Sequence, residues 1–434
     1  MAIGAPASAA PIAAGAHSSA VRAQDSSSLP GMWWYDAMKI AQAHKQSTGE
    51  GVTIAVIDGP VDPTIPELRG QDVTPVRNYC GNEGETASPT ATGQRAEHAT
   101  SITALLVGNG HGTGPGGAGI KGIAPDASVR NYVVDEATGR QKEIRCSDID
   151  SDVVLPWSYA HAIRDATDDG ADVISLSYDV AGSVPQQNAI EHAQARGVVV
   201  VAGAGNDGGR VGFPANVPGV VAVGMLDKSA TVHRASSHGI QMVVTAPGVG
   251  VAIGGYDAGT WSSEFVGWGT SYATPLVAGS LALVKAKHPE ATNWQLIRHL
   301  AYRAGGDRKF DWSEYLGFGA VSVTRMLADD PTRWHDFNPF QELPPDSFIK
   351  YGDNELTGTK LQRRLNSPSE TAPGNPTGSP GEKREGPADT GESGPAVPAL
   401  ATVGTALLLG LGVLGWRKGR GTNGNNPTGH NDKQ

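Results

Sequence analysis

The stretch Val52-Thr-Ile-Ala-Val-Ile-Asp58 is a run of apolar, mostly β-branched residues that ends on an acidic side chain before a Gly-Pro pair. Such a run predicts a strand that is buried on both faces, as in the parallel sheets of α/β proteins. Five further runs have the same character and are bounded by Gly, Asp or Pro. They lie at residues 129–134, 172–177, 198–202, 219–224 and 242–246.

Helical patterns separate these runs. They cover residues 36–46, 99–108, 154–168, 185–196, 272–287 and 293–304. Alternation of strands and helices predicts an α/β fold, with a central parallel sheet and helices on both faces. We therefore predict one three-layer domain over residues 31–330. The pattern does not specify the order of the strands in the sheet.

Composition and charge exclude several classes of partner and cofactor. The chain has 434 residues, 39% of them hydrophobic, and a net charge of -10, which leaves no basic face for a nucleic acid. Its two cysteines, Cys80 and Cys146, have no nearby histidines and make a poor zinc site. They would form a disulfide in a secreted protein and remain free thiols in a cytosolic one. Since no acidic ligand loop stands out, we expect neither a metal nor another cofactor.

The two ends of the chain differ from this domain. Residues 1–30 are Ala-rich and contain a small-residue cleavage pattern, so we expect a truncated signal peptide or a disordered leader. Residues 331–366 hold aromatic residues in a Pro-interrupted stretch, which predicts an extended strap. Residues 367–395 are rich in Pro and Gly with almost no large apolar side chain. They predict a flexible linker.

Residues 396–416 predict a transmembrane helix. They are uncharged and mostly apolar, and about 21 residues in a helix span about 30 Å, the thickness of a bilayer's hydrocarbon core. Three of the four residues after Trp416 are basic, and such residues stay on the cytoplasmic side. We therefore expect a single-pass protein of the cell membrane, with the folded domain outside and residues 417–434 in the cytoplasm. That location favours the disulfide.

Side chains suited to acyl transfer occur in the order Asp, His, Ser. Asp58 ends a predicted strand, where carboxyl ends of parallel strands face the ligand crevice. Two histidines are candidates for the base. His111 is followed by a Gly- and Pro-rich run that cannot continue as a helix, whereas His98 precedes a helical apolar face. Because a base must hold its ring still, we assign His98 and expect His111 in an exposed loop.

The nucleophile candidate, Ser271, lies in Gly269-Thr-Ser-Tyr-Ala-Thr-Pro-Leu-Val-Ala-Gly279, at the start of a predicted helix. The positive end of the helix dipole and its free N–H groups would stabilise an oxyanion there. Asn206 follows a predicted strand, and its side-chain amide would donate a second hydrogen bond to that oxyanion. Taken alone, Asn206 also fits a left-handed turn.

These motifs resemble those of the subtilisin-like serine peptidases (subtilases, family S8) over residues 33–330. The resemblance rests on the 269–279 motif, on Ala204-Gly-Asn206 and on Gly122-Ile-Ala-Pro125. The order Asp, His, Ser is the one found in subtilisin. The resemblance implies a subtilisin-like fold in which Asp58 orients His98, His98 serves Ser271 as base and then acid, and Asn206 completes the oxyanion hole. Protein or peptide substrates are thereby implied.

More narrowly, the chain resembles the mycosins, membrane-anchored subtilases of actinobacterial type VII secretion systems. The likeness lies in Trp33-Trp-Tyr-Asp-Ala-Met38, the Pro-rich linker and the C-terminal apolar stretch. It implies a membrane-anchored serine endopeptidase that cleaves a narrow set of secreted proteins and works with the secretion machinery. The alternative is a degenerate peptidase that is a structural part of a membrane secretion complex.

Three departures from the subtilase pattern keep that alternative open. Gly59 and Pro60 follow Asp58 where the family has a hydroxyl residue, and Ala99 follows His98 where the family has Gly. At the edge that binds substrate, the chain reads Ser177-Tyr178-Asp179 in place of the family's small residues. We expect these three residues to bind substrate. An acidic Asp179 would favour a basic substrate residue, depending on where its side chain points.

Overall fold

The computed structural model describes residues 29–79, 93–134, 157–306 and 312–340. Of the predicted leader only residues 29 and 30 lie within these ranges, and of the predicted strap only residues 331–340. The linker, Cys80, Cys146, the transmembrane segment 396–416 and the tail 417–434 lie outside them. Within the described ranges no helix is both long and apolar enough to cross a bilayer.

The described strands and helices alternate over residues 128–203, whereas other strands follow one another directly. The strands are β1 Thr53–Asp58, β2 Val73–Asn78, β3 Asn109–His111, β4 Ala118–Lys121, β5 Ser128–Val133, β6 Val173–Leu176, β7 Val199–Gly203, β8 Val221–Leu226, β9 Met242–Pro247, β10 Val249–Ala252, β11 Gly255–Asp257, β12 Thr260–Ser262 and β13 Val266–Trp268. The helices are α1 Trp33–Ala37, α2 Ile40–Ala43, α3 Gln94–Val107, α4 Trp157–Asp168, α5 Val184–Ala195, α6 Thr270–Lys287, α7 Asn293–Arg303 and α8 Val323–Leu327.

Seven strands form one parallel sheet in the order β2-β5-β1-β6-β7-β8-β9. The prediction of an α/β fold with a central parallel sheet is confirmed, and each of the six predicted strands is present. The seventh, β2, was missed because it contains Pro75 and alternates with polar residues. Proline lacks the N–H that a sheet ladder needs, and β2 lies accordingly at the edge, paired only with β5.

Helices cover the sheet in two groups. α3 and α6 pack against each other, and α6 also crosses β6, β7, β8 and β9. α4 and α5 form the second pair, in contact with β1, β5 and β7. The core between these layers consists of Val, Ile, Leu and Ala side chains from which solvent is excluded. Since burial of apolar area is the main favourable term in folding, these layers hold the sheet rigid beneath the loops at its edge.

The N-terminal segment is hydrogen-bonded to β10, more than 200 residues away in the sequence. Trp34 is fully buried, and the Trp33 indole N–H donates to the Gly250 carbonyl oxygen at 2.9 Å. Gly31 accepts a hydrogen bond from the backbone N–H of Ala252 at 3.0 Å. Gly31 and Trp33 thus attach the N-terminal segment to β10.

Candidate active site

Asp58 and His98 are brought into contact at the carboxyl end of the sheet. Asp58 is the last residue of β1 and is only 8% exposed. Its Oδ1 lies 3.0 Å from His98 Nδ1. Because a carboxylate only accepts hydrogen bonds, Nδ1 carries the proton, which leaves the Nε2 lone pair free. His98 Nε2 is buried and has no hydrogen-bond partner in the described part of the chain.

The packing of the loop after β1 explains why Gly59 stands where subtilases have a hydroxyl residue. The Gly59 N–H donates to Asp58 Oδ1 at 2.7 Å, so backbone supports the carboxylate on that side. A Cβ atom at position 59 would lie 2.7 Å from the carbonyl carbon of Arg95 and nearer still to its oxygen. Glycine is therefore required for the first turn of α3 to approach β1. Asp58 Oδ2 is buried and, among the described residues, has no hydrogen-bond partner.

α3 begins at Gln94, five residues earlier than predicted, so His98 lies within the helix rather than before it. Ala99 is fully buried, and its methyl group is accommodated in the core. His111 ends β3 in the short β3–β4 hairpin, where its side chain is exposed. Its backbone N–H donates to Asn109 Oδ1 at 2.7 Å. The imidazole beside Asp58 is that of His98.

Ser271 lies in the first turn of α6 and is 6% exposed. Pro275, four residues on, has no N–H and cannot bond the Ser271 carbonyl as a helix normally would. Ser177 Oγ donates to that carbonyl instead, at 2.9 Å. In return, Ser271 Oγ donates to the Ser177 carbonyl at 3.0 Å. This reciprocal pair joins the end of β6 to the start of α6.

Asn206 lies three residues beyond the end of β7, next to the start of α6. Its Oδ1 accepts the backbone N–H of Thr270 at 2.8 Å. Since that N–H can only donate, the amide oxygen must face Thr270 and the NH2 group must point elsewhere. A Cβ at Gly269 would lie 3.8 Å from Asn206 Nδ2. The Asn206 amide and the Ser271 N–H, one of the free amides of the first helical turn, are therefore available to one oxygen atom beside Ser271.

The segment after β6 lines this edge with the three predicted substrate-binding residues. Ser177 is buried and bonded to Ser271 as above. The Tyr178 ring packs against Tyr159 of α4, with 4.5 Å between ring centroids. Burial and the neighbouring Tyr159 raise the pKa of Tyr178, which keeps its hydroxyl neutral. Asp179 is exposed, but its carboxylate faces two glycines rather than open solvent.

A hydrogen-bond network that the sequence did not reveal surrounds His98. Glu97 Oε2 accepts the Tyr256 N–H at 2.9 Å, and the Tyr256 hydroxyl donates to Asp62 Oδ2 at 2.8 Å. The Asp62 backbone N–H donates to Thr100 Oγ1 at 2.9 Å. The β11–β12 hairpin thus fixes both the residue before His98 and the turn after it. No local signal indicates this network, because Tyr256 lies more than 150 residues from both Glu97 and Asp62.

One group of described side chains has a geometry compatible with a metal ion: His288, Glu290 and Asp330. Two of the three are exposed, and His288 follows the C-terminal end of α6. Ser271 lies at the opposite end of that 18-residue helix, about 25 Å away by the rise of an α-helix. This group is therefore not part of the site around Ser271.

Comparisons with known proteins identify the family and the fold. Residues 49–319 match the model of the Subtilase family. Subtilisin E from Bacillus subtilis (strain 168) is 30% identical over 293 residues, which are 66% of this chain and 68% of subtilisin E. The MycP3 protease from the type VII (ESX-3) secretion system is 26% identical with a TM-score of 0.54, over 69% of this chain and 88% of MycP3.

A second mycosin structure, MycP1 from the ESX-1 type VII secretion system, has a TM-score of 0.56 at 24% identity. The match covers 73% of this chain and 89% of MycP1, and shows that the fold is shared. The match to the family model spans more than half of the chain, including β1, α3 and the start of α6. The chain belongs to the subtilase family of serine endopeptidases, and its fold is close to that of the mycosin proteases.

Proposed function

We propose that the chain hydrolyses peptide bonds through an acyl-enzyme, with Ser271 as nucleophile, His98 as base and Asp58 as the residue that orients His98. The observation that carries this proposal is the hydrogen bond between Asp58 Oδ1 and His98 Nδ1, which fixes the tautomer that leaves Nε2 free to accept a proton. Such a base must be neutral and held on a packed element. α3 meets the second requirement, since ten of its residues are buried.

The first step requires a rotation of the Ser271 side chain. Its hydroxyl donates to the Ser177 carbonyl, so it must turn towards His98 Nε2 before it transfers its proton. His98 then holds the proton and passes it to the leaving amine. Water attacks the acyl-enzyme by the same route in reverse. The Ser177 carbonyl that Ser271 releases becomes an acceptor for a backbone N–H of the bound substrate.

The oxyanion formed in both steps lies between the Asn206 amide and the Ser271 N–H. Thr270 holds the Asn206 side chain in position before substrate arrives, so no reorganisation is needed as charge develops. Loss of one such donor typically costs about 3–4 kcal/mol of transition-state stabilisation. Asn206→Leu should lower kcat by about 100- to 1000-fold with little change in KM.

We further propose that the enzyme acts on a narrow set of secreted proteins and works with a type VII secretion system. The similarity to MycP3, a protease of such a system, supports this role. The apolar stretch 396–416 supports attachment to the cell membrane, with the peptidase outside. Carbonate extraction of cells that carry the full chain or a 396–416 deletion tests the attachment. Recovery of the full chain in the soluble fraction would contradict it.

A second candidate function is a degenerate peptidase with a structural role in a membrane complex. The hydrogen bond from Ser271 Oγ to Ser177, rather than to His98, is the observation that favours it. Hydrolysis of a quenched-fluorescence peptide library separates the two functions. The wild type and His111→Ala should cleave peptides, whereas Ser271→Ala and His98→Ala should not. If the folded wild type cleaves nothing, the structural role is favoured.

A further inference from the structure

Asp179 directs its carboxylate towards the loop that carries Asn206. A Cβ atom at Gly212 would lie 2.6 Å from Asp179 Oδ2, and a Cβ at Gly205 would lie 3.2 Å from the same oxygen. Neither glycine has a side chain, so the carboxylate occupies space that any other residue would fill. Gly205 immediately precedes Asn206. The direction of this side chain, which the sequence left open, is therefore inward.

The position of this carboxylate relative to Ser271 determines which part of a bound substrate it would contact. Ser177, two residues before Asp179, is hydrogen-bonded to Ser271 in both directions. When Ser271 attacks a carbonyl carbon, the carbonyl oxygen faces Asn206. The side chain of the substrate residue that owns this carbonyl would then lie between the 177–179 segment and the 205–212 segment, which Asp179 connects. That is the space in which the Asp179 carboxylate lies.

No described residue compensates the charge of this carboxylate. Within the described residues, Asp179 forms no hydrogen bond and no ion pair through its side chain. The charged group that acts on it most is Asp207, a second acid, whose carboxylate is already bound by Ser237 Oγ at 2.7 Å and by the Gly209 N–H at 2.8 Å. Burial and the Asp207 charge raise the pKa of Asp179 to about 6, so it is ionised at neutral pH. A cation bound beside Asp179 would offset both the burial of the carboxylate and its repulsion from Asp207.

We propose that Asp179 determines specificity: it binds the side chain of a lysine or arginine at the substrate position immediately before the cleaved bond. The residue is exposed enough for a substrate to reach and is held by glycines on two sides. This inference rests on the proposed peptidase function and adds the substrate class. A hydrogen bond between charged groups contributes about 1.5–3 kcal/mol, which corresponds to a preference of about 10- to 100-fold.

The test compares peptides that differ only at the position before the cleaved bond, with Lys, Arg, Gln or Leu there. The wild type should show a kcat/KM for Lys or Arg about 10- to 100-fold above that for Gln. Asp179→Asn should reduce this ratio to about 1, since the substitution removes the charge and keeps the shape of the side chain. Asp36→Asn, which removes the same charge from the exposed face of α1, is the matched control and should keep the wild-type ratio.

Failure of this inference differs from failure of the proposed function. Asp179 does not select the substrate if the wild type has the same kcat/KM for the Leu or Gln peptide as for the Lys peptide. The same conclusion follows if Asp179→Asn keeps the preference for Lys. The peptidase function would then stand. If the wild type cleaves none of the four peptides and no library peptide, the proposed function is wrong and this inference is wrong with it. Asp179→Lys gives an independent check, because it should turn the preference towards Glu.

Discussion

Gly59→Ser places in this chain the hydroxyl that subtilases usually carry after the catalytic Asp, and we expect it to impair the enzyme rather than improve it. The added Cβ would lie 2.7 Å from the Arg95 carbonyl carbon and 3.1 Å from its Cβ. At this contact the loop after β1 meets main-chain atoms of the first turn of α3. Such atoms cannot move aside as the end of a flexible side chain could. The two segments must therefore separate by several tenths of an ångström.

The separation acts directly on the Asp58–His98 pair, because Arg95 lies three residues before His98 in the same helix. A displacement of about 1 Å in a catalytic group can cost about 100-fold in rate, so we expect kcat/KM to fall by about 10- to 100-fold. Overpacking of this kind also costs about 1–3 kcal/mol of folding stability. The Gly59 N–H already donates to Asp58 Oδ1, so little support is gained in return.

The assay is kcat/KM on a quenched-fluorescence peptide, with urea unfolding of the same preparations. Gly306→Ser is the matched control, because a Cβ there meets nothing within 4 Å and the backbone is not in the left-handed region. The control should keep wild-type activity. If Gly59→Ser retained activity within twofold of the wild type, the close approach of α3 to β1 would not be what excludes a side chain at position 59.

Three further predictions concern stability and pH. Ser177→Ala leaves the Ser271 carbonyl without its donor and should lower the free energy of unfolding, measured in urea, by about 1–3 kcal/mol. Adding Pro275→Ala to this variant supplies a helical N–H to the same carbonyl and should restore part of the lost stability. The preference for Lys over Gln should rise as pH increases through about 6, where Asp179 ionises; a ratio that is flat from pH 5 to 8 would contradict this. Burial lowers the pKa of His299 from 6.5 to about 4, so the unfolded chain gains its proton first as pH falls; between pH 7 and pH 5 the free energy of unfolding of the wild type should fall by about 2 kcal/mol relative to that of His299→Gln, and a constant difference would contradict this.

Local patterns predicted the elements that carry the chemistry. The β-branched run ending at Asp58 is a strand in the structure, and the 269–279 motif opens α6. Both follow from short-range rules: β-branched residues favour buried strands, and a helix start offers free N–H groups. The choice between His98 and His111 also used a local rule, since Gly and Pro disfavour a helix after His111.

Contacts between distant segments were beyond such rules. Ser177 and Ser271 are 94 residues apart, and Tyr256 reaches Asp62 across 194 residues. Strand order depends on how the whole sheet packs, and β2 was missed because Pro75 disguises an edge strand. In the site itself, Gly59 looked like the loss of a support for Asp58. It is a requirement of packing, and only the position of the Arg95 backbone shows it.

Covalent labelling of the full chain with a fluorophosphonate, followed by peptide mass mapping, tests the proposed triad most directly. The folded wild type and His111→Ala should each gain one adduct, on Ser271. Ser271→Ala should gain none, and His98→Ala should react far more slowly, because its serine has no base. An adduct on another residue, or labelling of His98→Ala at the wild-type rate, would contradict the account of Asp58, His98 and Ser271.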